Sequence, residues 1–259
     1  MPGIPPTVRA RWCDSGHVTS LVADHLHSSA IGAWLVPDED RRRCVLAAVA
    51  RIWVEHALLF GDVFLLADRS AVAVWFHRYR PLPPPASYRE RLAAACGGHL
   101  DRFRLLDRVL DAHRPTDAHN HLAFLAVPPA TSRVARASAL LARSLVRMDR
   151  LALPAYAEAV TAAEADLYTR HGYTVRDPFP LPDGTPVHPL WRQPAGRPAL
   201  RAVGSADSPP KAERGPTRVS ATCGPTARPV ISPPRGAPVA APSDERSLRH
   251  PQPGGEGAP

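Results

Sequence analysis

The sequence predicts an α/β domain in which a mixed central sheet is covered by helices on both faces. Strand-like and helix-like segments alternate through residues 120–193. Residues 120–127 are apolar on both of their alternating faces, which is typical of a central strand in a sheet covered on both sides. Residues 133–150 carry apolar side chains at helical spacing. Together these patterns favour a layered α/β architecture.

The first half of the chain is divided by capping residues, glycines and short polar turns. A polar capping residue or a glycine is expected where a helix begins or ends, and a short polar pair between two apolar runs indicates a hairpin. In chain order we expect a strand (7–12), a helix (17–28) capped by Asp14 or Ser15, a loop (34–37), a helix from Asp38 to Gly61, a hairpin (62–67 and 71–76) and a helix (87–113) interrupted at Gly97-Gly98.

The second half shows the clearer alternation of elements. Pro128-Pro129 ends the first strand, and Gly172 ends the last helix. In chain order we expect a strand (120–127), a helix (133–150), a strand (154–160), a helix (162–171) and strands at 173–176 and 187–193.

Residues 194–259 differ from the rest of the chain in composition. They contain 14 prolines and 8 glycines and show no apolar periodicity. Such a segment cannot bury enough apolar surface to offset its ordering entropy. We therefore expect a folded domain over residues 1–193 and a disordered tail over residues 194–259.

Charge and cysteine content exclude several classes of protein. The formal net charge is +8, but about half of the excess lies in the tail, and arginine makes up 31 of the 32 basic residues, which argues against a selected nucleic-acid surface. Four widely spaced cysteines form no CxxC pair, so neither a zinc ribbon nor a disulfide framework is expected. With no secretory signal and no membrane span in the sequence, we expect a cytoplasmic protein.

Four segments, in register and without gaps, resemble the GNAT superfamily of acyl-CoA-dependent N-acyltransferases. They are Leu-Ala-Phe-Leu-Ala-Val-Pro-Pro (122–129), Ala-Ser-Ala-Leu-Leu (137–141), Leu-Pro-Ala-Tyr-Ala-Glu-Ala (153–159) and Leu-Tyr-Thr-Arg-His-Gly-Tyr (167–173). The resemblance implies a GNAT-like domain over residues 1–193. It also implies transfer of an acetyl group from acetyl-CoA to an amine of a small molecule or protein, by direct attack in a ternary complex.

The resemblance further implies where acetyl-CoA binds. Family members hold its pyrophosphate on backbone N–H groups at a helix N-terminus, in a loop of the form (Gln or Arg)-x-x-Gly-x-(Gly or Ala). Here Ser132 replaces the first residue and Ala135 replaces the first glycine, while Arg133 and Arg136 add positive charge. The implied cofactor-binding residues are the strand edge Leu125, Ala126 and Val127, the turn and helix start Ser132, Arg133, Val134, Ala135, Arg136, Ala137 and Ser138, and Glu164 at a position where relatives often have asparagine.

The catalytic candidates lie on the same segments. Tyr168 matches a family tyrosine that protonates the departing thiolate as a general acid. Glu158, or else His121 or His119, is the candidate base for the amine. His119 and His121 point to one side of a strand, but no third ligand is visible, so no metal site is expected.

Two readings remain open at this point. The chain is either an active transferase or a GNAT scaffold whose phosphate loop has decayed, as Ala135 would indicate, and which serves as a binding or regulatory module. The acceptor is not identified by the sequence, and a homodimer is left open.

Overall fold

The computed structural model describes residues 3–128 and 133–196. The predicted disordered tail lies outside these residues except for its first three positions. The strands are β1 (Thr7–Arg9), β2 (Gly61–Leu66), β3 (Val72–Arg78), β4 (His119–Ala126), β5 (Ala155–Ala159), β6 (Thr174–Val175), β7 (Phe179–Pro180) and β8 (Pro186–Arg192). The helices are α1 (Ser15–His27), α2 (Ala30–Leu35), α3 (Glu39–Phe60), α4 (Tyr88–Cys96), α5 (Leu100–His113), α6 (Arg133–Arg150) and α7 (Ala162–Arg170).

The strands form one mixed sheet in the order β1-β2-β3-β4-β5-β8-β6, and β7 pairs with β8. The β4–β5 pair is parallel, and the other recorded pairs are antiparallel. A parallel pair needs a crossover, which α6 provides. The predicted mixed sheet with a central strand at residues 120–127 is therefore confirmed.

The two faces of the sheet carry separate cores. On β3, Ala73 and Trp75 pack with α6 and α7, whereas Val72, Val74 and Phe76 pack with α1 and α3. This alternation follows from the two-residue period of a strand. Below, the two sides are called the α6 face and the α3 face.

An ion pair joins α6 to the strand β8. Arg192 of β8 contacts both carboxylate oxygens of Asp149, at 2.6 and 3.0 Å, and its Nε donates to the carbonyl oxygen of His171 at 3.0 Å. Both charged side chains are mostly buried. The paired N–H donors hold the carboxylate in one orientation, so α6, the end of α7 and β8 are tied together.

A long helical connection joins β3 to β4, although adjacent antiparallel strands need only a short turn. It contains α4 and α5, which the predicted break separates, with Gly97 at φ +51°. Leu106 and Leu110 of α5 pack against Phe179 and Val187 on the α3 face. The connection thus covers the sheet beside β5 and β8.

Three details differ from the sequence prediction. The strand expected over residues 7–12 ends at Arg9, and Trp12–Asp14 form a short 3-10 helix. Residues 34–37 were expected to be a loop, but Trp34 and Leu35 belong to α2. Ser29 caps this helix, because its hydroxyl accepts a hydrogen bond from the Gly32 backbone N–H at 3.0 Å. The strand β7 was not predicted, because two residues that include a proline give no periodic signal.

Within the described residues, none of the helices combines the length and hydropathy that crossing a membrane requires.

Candidate active site

The parallel strands β4 and β5 separate part of the way along their length. Their register covers only Asn120–Ala155, His121–Tyr156 and Leu122–Ala157. Beyond these pairs, β4 stays hydrogen-bonded to β3 as far as Ala126, and β5 stays paired with β8 as far as Ala159. The sheet is therefore open between the carboxyl-terminal halves of β4 and β5.

A β-bulge in β4 accompanies this opening. Val74 lies opposite Phe124 and Trp75 lies opposite Leu122, so Ala123 is an extra residue without a partner on β3. A bulge bends its strand and interrupts the ladder. It occurs immediately after the last β4–β5 pair, at Leu122. The predicted cofactor edge, Leu125–Val127, follows it at the open side of β4.

The helix α6 begins just beyond this opening. Ser132 lies outside the described residues, and α6 starts at Arg133. Arg133 and Ala135 are exposed, and Val134 is 62% exposed. The first turn of this 18-residue helix is therefore uncovered in the described structure, and its backbone N–H groups lack intrahelical partners, as at any helix start.

The remaining candidates on α6 have partners inside the protein. Arg136 forms an ion pair with Asp68 at 2.5 Å and also contacts Ser70. Ala137 is buried in the core on the α6 face, and the Ser138 hydroxyl lies 2.9 Å from His171 Nε2. The candidate binding residues on α6 thus form two groups: the first turn is exposed, and the residues that follow it contact other parts of the protein.

Glu164 serves the start of α7. The Thr161 hydroxyl accepts from the Glu164 backbone N–H at 3.2 Å, and the Glu164 carboxylate accepts from the Val160 N–H at 3.0 Å. This reciprocal arrangement resembles a capping box. It gives Glu164 a local structural role beside the cofactor role that the resemblance implies.

The structure brings the two main candidate bases together on the α3 face. His121 Nε2 lies 2.8 Å from Glu158 Oε2, and Arg78 Nε donates to His121 Nδ1 at 3.4 Å. Since Nδ1 accepts from arginine, the neutral ring carries its proton on Nε2 and donates it to Glu158. Burial raises the pKa of Glu158, but its interaction with His121, together with the hydrogen bond of Tyr156, more than offsets this, and the net pKa is lowered. Glu158 is therefore an ionised carboxylate whose position is fixed by the contact with His121.

Two buried polar groups lie beside this pair, and both residues are 1% exposed. Tyr156 Oη interacts with Glu158, whereas His119 Nε2 has no hydrogen-bond partner in the described structure. The other nitrogen of His119, Nδ1, lies 2.6 Å from the Asp117 carbonyl oxygen and must carry the proton, because a carbonyl only accepts. A neutral His119 therefore presents an acceptor, and Tyr156 presents a hydroxyl, close to Glu158.

Burial lowers the pKa of His119 to about 4 from the ordinary 6.5. The unfolded chain binds a proton here as the pH falls through 6.5, whereas the folded chain stays neutral until about pH 4. The free energy of unfolding should therefore decrease as the pH is lowered across this window, by about 2 kcal/mol at pH 5 from this group. Urea unfolding of the wild type and of His119→Gln at pH 7 and pH 5 measures it, and the variant should lose that part of the pH dependence.

An NMR titration of the His119 ring provides an independent check that does not depend on the variant. A ring that titrates near pH 6.5 in the folded protein would contradict the expected pH dependence.

Tyr168 lies on the other face. It is 6% exposed, belongs to the core on the α6 face and packs against Tyr173 with ring centroids 5.6 Å apart. Burial raises the pKa of Tyr168 well above its ordinary value, so the phenol is protonated at neutral pH. Since Ala157 and Ala159 also face α6, the intervening Glu158 points to the opposite face. The acid and base candidates therefore belong to opposite faces of the opened sheet.

Sequence reasoning missed Arg78 and Tyr156. Arg78 follows the apolar run of β3, and only the pairing of β3 with β4, with Phe76 opposite His121 and Arg78 opposite His119, shows that its side chain shares their face. Tyr156 was quoted as part of the family resemblance, but its buried hydroxyl becomes noticeable only once its neighbours are known.

Solved structures of acetyltransferases have the same architecture. A histone acetyltransferase HPA2-related acetyltransferase of Corynebacterium glutamicum is 21% identical, with a TM-score of 0.59, and the match covers 76% of this chain and 99% of that one. A Drosophila melanogaster polyamine N-acetyltransferase is 15% identical, with a TM-score of 0.50, over 73% of this chain and 99% of that one.

These likenesses show that the domain has the fold of the GNAT-superfamily acetyltransferases. The expected fold class is thereby confirmed. No protein-family model matches the sequence.

Proposed function

We propose that this protein is an N-acetyltransferase that transfers an acetyl group from acetyl-CoA to an amine. The observation that carries the proposal is the opening between β4 and β5, which begins at a bulge and has the Glu158–His121 pair on one face and Tyr168 on the other. Two reactants can approach such an opening from opposite faces, as direct attack in a ternary complex requires.

The residues at this opening fit acetyl-CoA. The strand edge Leu125–Val127 would hold the pantetheine arm as an added strand does, through backbone hydrogen bonds. The exposed first turn of α6, from Arg133 to Ala135, would hold the pyrophosphate through its N–H groups and the positive end of the helix dipole. Arg133 adds positive charge there. When bound, the cofactor supplies an acyl group activated as a thioester.

The protein's own side chains would supply the proton transfers. Glu158 is ionised at neutral pH and is positioned by His121, so its carboxylate can bind the amine and accept its proton. His121 has both ring nitrogens engaged, which makes it a positioning residue for Glu158 rather than an independent base. Tyr168 keeps its proton at neutral pH and can donate it to the leaving sulfur.

Calorimetric titration with acetyl-CoA tests the binding step. We expect binding in the micromolar range, and we expect Ala135→Gly to change the affinity by less than about threefold if the exposed loop is functional. Ala142→Gly, at an exposed position in the middle of the same helix, controls for the cost of glycine in a helix.

The alternative is a GNAT scaffold without catalytic activity, which the methyl group of Ala135 and the local role of Glu164 favour. No binding by the wild type, together with a gain of about tenfold or more in Ala135→Gly, would support this alternative and contradict the transferase proposal.

A further inference from the structure

A polar cavity lies at the opposite end of β4 from the proposed acetyl-CoA site. It has a volume of about 170 Å³ and is formed by the end of α3, the start of β2, the end of β3 and the side of α6. Its polar lining consists of Arg9, Asp62, His77, Tyr79, Arg80 and Arg147. This volume is several times the roughly 30 Å³ that a water molecule occupies in the liquid.

The cavity contains a buried carboxylate with several partners. Asp62 is 1% exposed, and its Oδ2 lies 3.0 Å from His77 Nε2 and 3.4 Å from Arg147 Nε. Arg9 forms an ion pair with the other oxygen of Asp62. Burial raises the pKa of Asp62, but His77 and the two arginines offset this, so its net pKa is lowered and the group is ionised. The carboxylate therefore holds Arg9 and Arg147 beside the cavity.

Positive charge in the cavity exceeds this one negative charge. Asp62 is the only carboxylate among the described residues that line the cavity, whereas three arginines, Arg9, Arg80 and Arg147, line it. Arg80 stacks over the Tyr79 ring at 5.4 Å and has no carboxylate partner in the described parts of the chain. Arg147 approaches Asp62 through Nε, which leaves its two terminal nitrogens for a further acceptor.

We propose that this cavity binds a phosphate group, either as free phosphate or as part of a phosphorylated metabolite. Two guanidinium charges beyond the one that balances Asp62 match the charge of a phosphate dianion. The planar N–H groups of arginine suit its tetrahedral oxygens. The Tyr79 side chain adds a further polar group to the lining. A neutral or cationic ligand would leave this excess charge uncompensated.

The site is linked to β4 by one hydrogen bond. His77 Nδ1 lies 2.9 Å from Asn120 Oδ1, and Asn120 belongs to the first of the three β4–β5 pairs, at the closed end of the opening. The phosphate site is thus distinct from the first turn of α6. The proposal does not depend on the acetyltransferase activity and can be tested in its absence.

The test is calorimetric titration of the full chain with inorganic phosphate and with glycerol 3-phosphate at constant ionic strength. Loss of charge-assisted hydrogen bonds in Arg80→Ala and in Arg147→Ala should each weaken phosphate binding by about tenfold or more. Arg143→Ala is the matched control, because Arg143 lies one turn earlier on α6, contacts the Ile4 carbonyl and is not in the cavity lining. It should change the affinity by less than about twofold.

Either phosphate compound binding with this pattern supports the proposal, and the tighter of the two identifies whether the free ion or an ester is preferred. Failure of both compounds to bind would overturn it. Equal weakening in the Arg143→Ala control, or an equal response to chloride at the same ionic strength, would also overturn it, because screening alone would then explain the effect.

Discussion

Replacing Glu158 with glutamine is expected to lower the rate of acetyl transfer by about 100-fold or more, since loss of a positioned general base typically costs a factor of 10²–10⁴. The amide keeps the shape of the side chain but cannot take the proton of the amine. The effect should appear mainly in kcat, measured as release of free thiol from acetyl-CoA. Asp166→Asn removes an exposed carboxylate on α7 and should leave the rate unchanged.

The pH profile separates the role of His121 from that of Glu158. His121 lowers the pKa of Glu158 against the raising effect of burial. In His121→Asn the pKa of Glu158 should therefore rise, and the acidic limb of the pH–rate profile should move to higher pH. An unchanged acidic limb would contradict the positioning role, and a Glu158→Gln variant that retains most of its activity would contradict the assignment of the base.

Gly61→Ala is expected to destabilise the fold by about 3–5 kcal/mol, which is at the upper end for a single substitution. A Cβ at Gly61 would lie 1.8 Å from the Trp75 carbonyl oxygen and 2.9 Å from its carbon. These are backbone atoms of the paired strand β3, so relief requires separating β2 from β3. Urea unfolding measures the change.

Gly16→Ala is the matched control for this substitution. Gly16 lies in the first turn of α1, and a Cβ there meets nothing within 4 Å. Alanine should be neutral or slightly stabilising at Gly16, because it has the higher helix propensity. Near-wild-type stability of Gly61→Ala would show that β2 and β3 are less closely paired than the structure indicates.

Much of the fold could be predicted from the sequence, because it depends on local periodicity. The span of α6 was predicted at residues 133–150 and is confirmed, as is the central position of β4. The helix α2 was missed because six residues are too few for a clear period. Its formation depends on the Ser29 cap and on packing of Leu35.

The candidate site was less predictable, because its arrangement depends on pairing between distant segments. Glu158 and His121 were both named as candidate bases, but as alternatives, and 37 residues separate them in sequence. Their contact requires the parallel register of β4 and β5. Arg78 lies beside His121 because β3 pairs with β4, although the α4–α5 connection separates these two strands in sequence. Such long-range registers have no signature in a single sequence.

The bulge at Ala123 also changes which side chains share a face. Before it, His121 is on the α3 face, and after it Phe124 and Ala126 are on that face, so the odd-numbered positions exchange places with the even-numbered ones. Deletion of Ala123 would bring β4 into continuous alternation with β3. Either the imidazole or the apolar residues would then turn towards α6. One inserted residue thus allows a single strand to combine a polar half, which carries the candidate site, with an apolar half.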